Sequence, residues 1–518
     1  MELMVNKQAV TINETVYDGC VQQPVETDLM LPDYCPDILR VLRCDIQAAV
    51  MSKQMIGEKV AIDGIATLKL IYLDDGRCLR SHEHKLPFTT AIDIKTAADN
   101  AMVETSVSTD YVNCRPVSPR RLDVKGSLSV CAKVTALKSE QIVSEAAGMN
   151  VELKRKMLQT SRMIANVNRS FSVKEEMEVP GNKAPIASII RANGVCVITD
   201  YKVIANKVIL KGELTEHILY ACDEKGGGVD TLEYTMPVSQ IIDVDGVDEN
   251  SKCAITLGVN GITADPKANN EGEAKMVALN ADISYNVKAF ANNEVPAVVD
   301  MYSTKYESAY QAKPIAVENL NGIMNSEYTV KNVFDMPDEN IGRVLDVWSE
   351  VNVKGADIVN DEMTLVGTIK TGMLVEHNNG ENGYYERTSD LEYRSKVESP
   401  TPNMTANANV QVKDTQFNMP SRDKIEVRST LDINAAVMSA GRESVLTEIS
   451  VNDKAPKKQE EAAALTIYFA EKGESVWDIA KRYNTSAQQI VSHNELADES
   501  LKERCMLLIP TFAISDEN

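Results

Sequence analysis

Residues 60–76 read VAIDGIATLKLIYLDDG, and the alternation inside this stretch decides the fold. Val60, Ile62, Gly64, Ala66 and Tyr72 keep even spacing, so they share one face of a β-strand. Asp75-Gly76 then supplies a hairpin turn. The pattern recurs as Val208, Leu210, Gly212, Leu214 and Tyr220, and again as Met363, Leu365, Gly367, Ile369 and Val375. A glycine inside a strand costs stability and marks a bulge or a close backbone approach, so its return on the same face is informative.

Working outward, Gly226-Gly227-Gly228 and Asn379-Gly380 provide the matching turns. An apolar-Pro pair precedes each glycine by about thirty residues: Leu31-Pro32, Val179-Pro180 and Met336-Pro337. The prolines lie 148 and 157 residues apart, and the glycines 148 and 155. Two separate landmarks with nearly equal offsets identify an internal repeat. A closing strand completes each copy, through Leu122, Val124, Leu128 and Val130; Val277, Leu279, Ile283 and Tyr285; and Ile425, Val427, Leu431 and Ile433. Alternating strands separated by turns argue for a sandwich or open barrel rather than a doubly wound sheet. The fold expected is mainly β: three tandem β-sandwich-like domains at 16–137, 170–290 and 326–440, then a small βααβ domain at 465–511. Segments 140–165 and 302–325 read equally well as helix or as extended linker, and the charged, Ala-rich 452–464 reads as a linker.

The 518 residues carry 54 Lys+Arg against 76 Asp+Glu, a net charge of −22. Such a balance opposes binding to nucleic acid or to an anionic membrane, since both need clustered cations. No apolar run is long enough to span a bilayer, and the first residues lack a secretory pattern. The ten cysteines form no CxxC pair, and they are expected to be reduced thiols in a cytosol.

The last module begins with a strand, Leu465–Ala470. Ser475 with Asp478, and Ser486 with Gln489, have the spacing of capping boxes. Between them Val476, Ile479, Ala480 and Tyr483 make one apolar helix face. Met506–Pro510 returns as a strand.

The run Gly473-Glu474-Ser475-Val476-Trp477-Asp478-Ile479-Ala480-Lys481-Arg482-Tyr483, with Asn494 and Leu507-Leu508-Ile509-Pro510, resembles a LysM module. The resemblance implies a shallow groove for N-acetylglucosamine-containing glycans such as peptidoglycan. That groove would be formed by Gly473, Glu474, Ser475 and Val476 with Asn494, Glu495 and Leu496, and Trp477 and Arg504 would stand beside it. Glu503-Arg504 replaces the family's usual Val-Gly turn. The three repeats are similar to the SPOCS domain of clostridial sporulation proteins. Three such repeats before one LysM resemble spore-coat morphogenetic proteins of the mother-cell cytoplasm. The resemblance implies a scaffold that partners the coat-scaffold ATPase at the forespore surface; the alternative is a peptidoglycan-binding wall or cortex protein.

No catalytic constellation emerges, and no cofactor or metal is expected. A phosphate-binding loop is missing. Asp243–Asp248 has an early glycine for a calcium loop and reads as an acidic turn. His82 and His84 share a strand face without a partner motif. Glu474 and Asp478 sit in one helical turn rather than across a bond to be cleaved. Trp348 reads as core, and Trp477 either completes a small core or stacks on sugar. The chain is therefore read as non-enzymatic.

Overall fold

A computed structural model describes residues 2–94, 101–223, 228–336, 340–457, 465–496 and 499–510. Unit 1 comprises β1 (Met4–Met30), β2 (Ile38–Ile56), β3 (Lys59–Asp74), β4 (Leu79–Asp93), β5 (Met102–Ser118) and β6 (Arg121–Ala147). Unit 2 follows with β7 (Val151–Glu178), β8 (Ile186–Ile204), β9 (Lys207–Cys222), β10 (Val229–Asp243), β11 (Lys252–Lys267) and β12 (Met276–Ser303). Unit 3 has β13 (Tyr306–Asp335), β14 (Ile341–Val359), β15 (Glu362–His377), β16 (Asn382–Lys396), β17 (Met404–Ser421) and β18 (Lys424–Pro456). Each unit pairs two antiparallel three-stranded sheets, ordered β2-β3-β4 and β1-β6-β5 in unit 1, with the same orders in the other two. The fold is mainly β, as the alternation implies.

The glycine rule has a direct physical basis. Gly64, Gly212 and Gly367 face the cores on the central strands β3, β9 and β15, opposite Val50, Ile198 and Val353, where the neighbouring strand bulges. A Cβ would lie 2.6, 2.8 and 2.4 Å from the carbonyl oxygens of Ala49, Val197 and Asn352. Those contacts are too close for any side chain. The apolar residues at the start of each motif also share one role, as Leu31, Val179 and Met336 donate their N–H to Arg120, Lys275 and Asp423 carbonyls. Pro337, Gly226, Gly227 and residues 458–464 lie outside the described residues.

Segments 140–165 and 302–325 are strand, not helix. They belong to long pairs, such as β1 with β6, that continue as two-stranded ribbons past the end of the third strand. The three ribbons meet in one apolar cluster containing Val10, Ile142, Leu158, Val295, Ile315 and Val445. Local pattern could not choose because each ribbon buries its face against other units. The units also lock at equivalent positions Arg43, Arg191 and Asp346, spaced 148 and 155 apart. Arg191 pairs with Asp346 at 2.7 Å, and Arg43 with Glu350 at 2.7 Å. Trp348 is buried between the two guanidinium groups, 4.4 and 4.2 Å from its ring, and stacks on Tyr384.

The cysteine reading needs correction. Cys20 and Cys131 are joined by a disulfide, while eight other cysteines are free. The two stand directly opposite in the β1–β6 ladder although 111 residues apart in sequence. Only the strand register brings them together, so spacing along the chain carried no sign of the bond.

Candidate functional site in the C-terminal module

The module consists of β19 (Leu465–Ala470), α1 (Val476–Tyr483), α2 (Ala487–His493) and β20 (Cys505–Pro510), with β19 antiparallel to β20. Val476, Ile479, Ala480, Ile490, Leu507 and Ile509 are buried together. Both serines take the N-cap positions, yet neither makes a side-chain cap hydrogen bond, so the capping boxes are not formed. Ser475 instead bridges to Ser500 through its backbone, and the Ser486 hydroxyl meets Glu152 of unit 2.

The loop entering α1 is tied to the segment after α2. Gly473 N–H donates to Leu501 O at 2.9 Å, and Val476 N–H to Glu499 O at 3.1 Å. Gly473 has φ +90°, which explains its glycine. Glu474 accepts from the Glu471 N–H and from the Tyr468 hydroxyl, both at 2.9 Å. These bonds, the backbone one foremost, hold its carboxyl below the ordinary value. Asn494 clamps α2 to β20: its Nδ2 donates to Ile490 O and Leu508 O, and its Oδ1 accepts from Leu508 N–H. Glu495 is exposed with φ +50°, Leu496 packs against the module core, and exposed Arg504 lies 3.3 Å from Glu471.

Trp477 has a different setting from the other groove residues. It is 3 % exposed and packs edge-on against Tyr302 of β12, with ring centroids 5.0 Å apart. Its Nε1 donates to Asp300 Oδ2 at 2.8 Å, and Lys481 Nζ reaches both Asp300 oxygens at 2.7 and 2.9 Å. Tyr302 hydroxyl donates to Thr485 O at 2.6 Å, and Lys457 Nζ to Asn484 Oδ1 at 2.6 Å. Burial works against the Asp300 charge, but the Lys481 and Trp477 hydrogen bonds outweigh it and lower its pKa. The module therefore docks on the end of the unit 2 ribbon through α1. Asp300, Tyr302 and Glu152 were not singled out from the sequence. Asp300 lies 177 residues from Trp477, and nothing local marks it.

The opposite face of the module is open. Leu465, Ile467 and Phe469 alternate along β19 opposite Pro510, Leu508 and Met506 of β20. Ile467 is 57 % and Phe469 63 % exposed. This makes a contiguous apolar strip.

Elsewhere, His82 lies 3.8 Å from the Cys35 sulfur, and burial lowers its pKa. Asp248 closes a turn through Ser251 and the Asn250 N–H. Among the described residues, no group of three or more His, Cys, Asp or Glu could hold a metal ion. None of their helices is long and apolar enough to cross a membrane.

These features define a modular β protein that carries a docked βααβ module. Residues 470–510 match the LysM domain family, and residues 37–117 and 185–267 match the family described as SipL, SPOCS domain. SPOCS segments followed by a LysM domain, the make-up of SipL-like proteins, point to a spore-associated LysM protein. Unit 3 lies outside the SPOCS matches but has the same strand order and the same glycine-bulge geometry. The matched domains are non-catalytic binding domains, and LysM domains bind glycans such as peptidoglycan or chitin. No curated protein and no solved structure matches the chain.

Proposed function

We propose that this chain is a non-enzymatic scaffold of the endospore coat, held at the forespore surface in the mother-cell cytoplasm by docking on the coat-scaffold ATPase. The LysM module provides the principal contact, and the three β units form the body that presents it. The observation carrying this reading is the open strip of Leu465, Ile467, Phe469 and Met506. Exposed apolar surface of this kind suits a protein partner better than a sugar edge. Of the groove loops, Glu474, Ser475 and Glu495, with Arg504, would add a polar rim. Trp477 would act from beneath, by fixing the module's orientation.

One observation favours the second reading. The Cys20–Cys131 bond suits oxidising surroundings, where a wall- or cortex-associated glycan binder would work. Capture of the coat-scaffold ATPase by the full chain, beside the Phe469→Ser/Met506→Ser variant, separates the two. Loss of capture in the folded variant supports docking. No capture by the full chain, with micromolar binding of chitin oligomers, establishes the glycan reading instead.

A further inference from the structure

Unit 1 differs from its two copies in where sulfur stands. The disulfide positions Cys20 and Cys131 correspond to Asn168 and Asn286 in unit 2 and to Asn325 and Asn434 in unit 3. There Asn434 Nδ2 donates to Asn325 Oδ1 at 2.7 Å, so the position is satisfied without a covalent bond. A second pair of cysteines lies in the same unit on opposite sheets. Cys44 is on β2 opposite Leu70, and Cys114 is on β5 opposite Val124. These edge strands adjoin, as Thr109 Oγ1 donates to Ile46 O at 2.8 Å. The Cys44 thiol hydrogen-bonds to Cys114. At the equivalent places unit 2 has Ala192 and Ala264, and unit 3 has Val347 and Phe417. The sandwich closes there without cysteine.

We infer that Cys44 and Cys114 are a second oxidation site, a dithiol that closes to a disulfide joining the two sheets of unit 1. Both residues are half-buried, so a small oxidant can reach them. The hydrogen bond from Cys44 lowers the Cys114 thiol below its ordinary value, while the same contact and burial keep the proton on Cys44. The oxidant is a low-molecular-weight disulfide. Cys114 thiolate attacks one of its sulfurs, forming a mixed disulfide and releasing one small thiolate. That thiolate takes the Cys44 proton, and Cys44 sulfur then attacks Cys114 sulfur and displaces the second small thiolate, which takes up the proton Cys114 had shed. Two cysteine thiols become one disulfide, and one small disulfide becomes two small thiols.

The test incubates the full chain with oxidised or with reduced glutathione, alkylates it under denaturing conditions, and maps peptides without reductant. The oxidised arm should yield a Cys44–Cys114 linked peptide that the reduced arm lacks. Thermal unfolding of unit 1, followed by hydrogen exchange, should shift upward by roughly 4–10 °C. Cys44→Ala with Cys114→Ala, the pair found in unit 2, should lose the linked peptide and the shift while retaining Cys20–Cys131. Full alkylation of both cysteines in the oxidised arm overturns the inference. So does Cys44 bonded to any other cysteine, or a glutathione adduct on Cys114 that never resolves.

Discussion

The β units and the C-terminal module complete their cores in opposite ways. Each unit closes on itself: two sheets enclose alternating residues such as Val60, Leu68, Leu122 and Val130, all from the same copy. The module's apolar cluster includes Tyr302, which belongs to unit 2. A domain of fewer than fifty residues buries too little surface for much stability of its own. Borrowing a tyrosine offsets that shortage, and it fixes the module's orientation on the ribbon.

The widest test of this contrast is Tyr302→Ala. It removes a buried aromatic and the bond to Thr485, so the module should lose about 3–5 kcal/mol while the units keep their own stability. Hydrogen exchange resolved by segment measures both, and equal losses in unit 1 would break the comparison. Gly212→Val should cost unit 2 about 1–3 kcal/mol, because the Val197 carbonyl belongs to a paired strand and cannot move aside. Unchanged thermal stability would contradict the close approach of β8 and β9.

Two pH effects should be smaller and of opposite sign. Asp300 has a lowered pKa, so its contribution to docking is present above the ordinary carboxylate value of 3.8 and is lost as pH falls through the lower folded value. Acid below that value should therefore loosen the module, and Asp300→Asn should remove that step in a titration followed by Trp477 fluorescence. Within unit 2, burial raises Glu216 from 4.5 to about 7. The stability linked to its neutral form is full below 4.5 and is lost as pH rises through about 7. Glu216→Gln should flatten this dependence, and a denaturant midpoint for unit 2 that rises with pH over that window would contradict it. Arg504→Ala should matter least, with stability within about 0.5 kcal/mol, because its pair with Glu471 is exposed.

Glu216 also shows how far repetition reached. The three copies keep one register, so Leu68, Glu216 and Thr371 occupy the same core position. The Glu216 Oε2 and Thr371 Oγ1 atoms are buried without a partner, while Leu68 is apolar. Alternation and the recurring glycine were legible because they are local demands of a pleated strand. The polarity at a given core position was not, since it depends on what the opposite sheet supplies.

Of the candidate groove, the contacts that Gly473, Glu474, Asn494 and Leu496 make all lie within the module. Local pattern fits Trp477 to a core role and to sugar stacking alike, and its partner is a carboxylate 177 residues away. The sequence by itself determined the three β copies, the Asp75-Gly76 and Asn379-Gly380 turns and the βααβ module, because these follow from side-chain period, glycine and turn chemistry. Tertiary structure alone decided the ribbon bundle, the Cys20–Cys131 bond and the docking of Trp477 on Asp300. Each of these joins residues more than a hundred positions apart, and only the closed register and the burial of apolar faces between units bring such residues together.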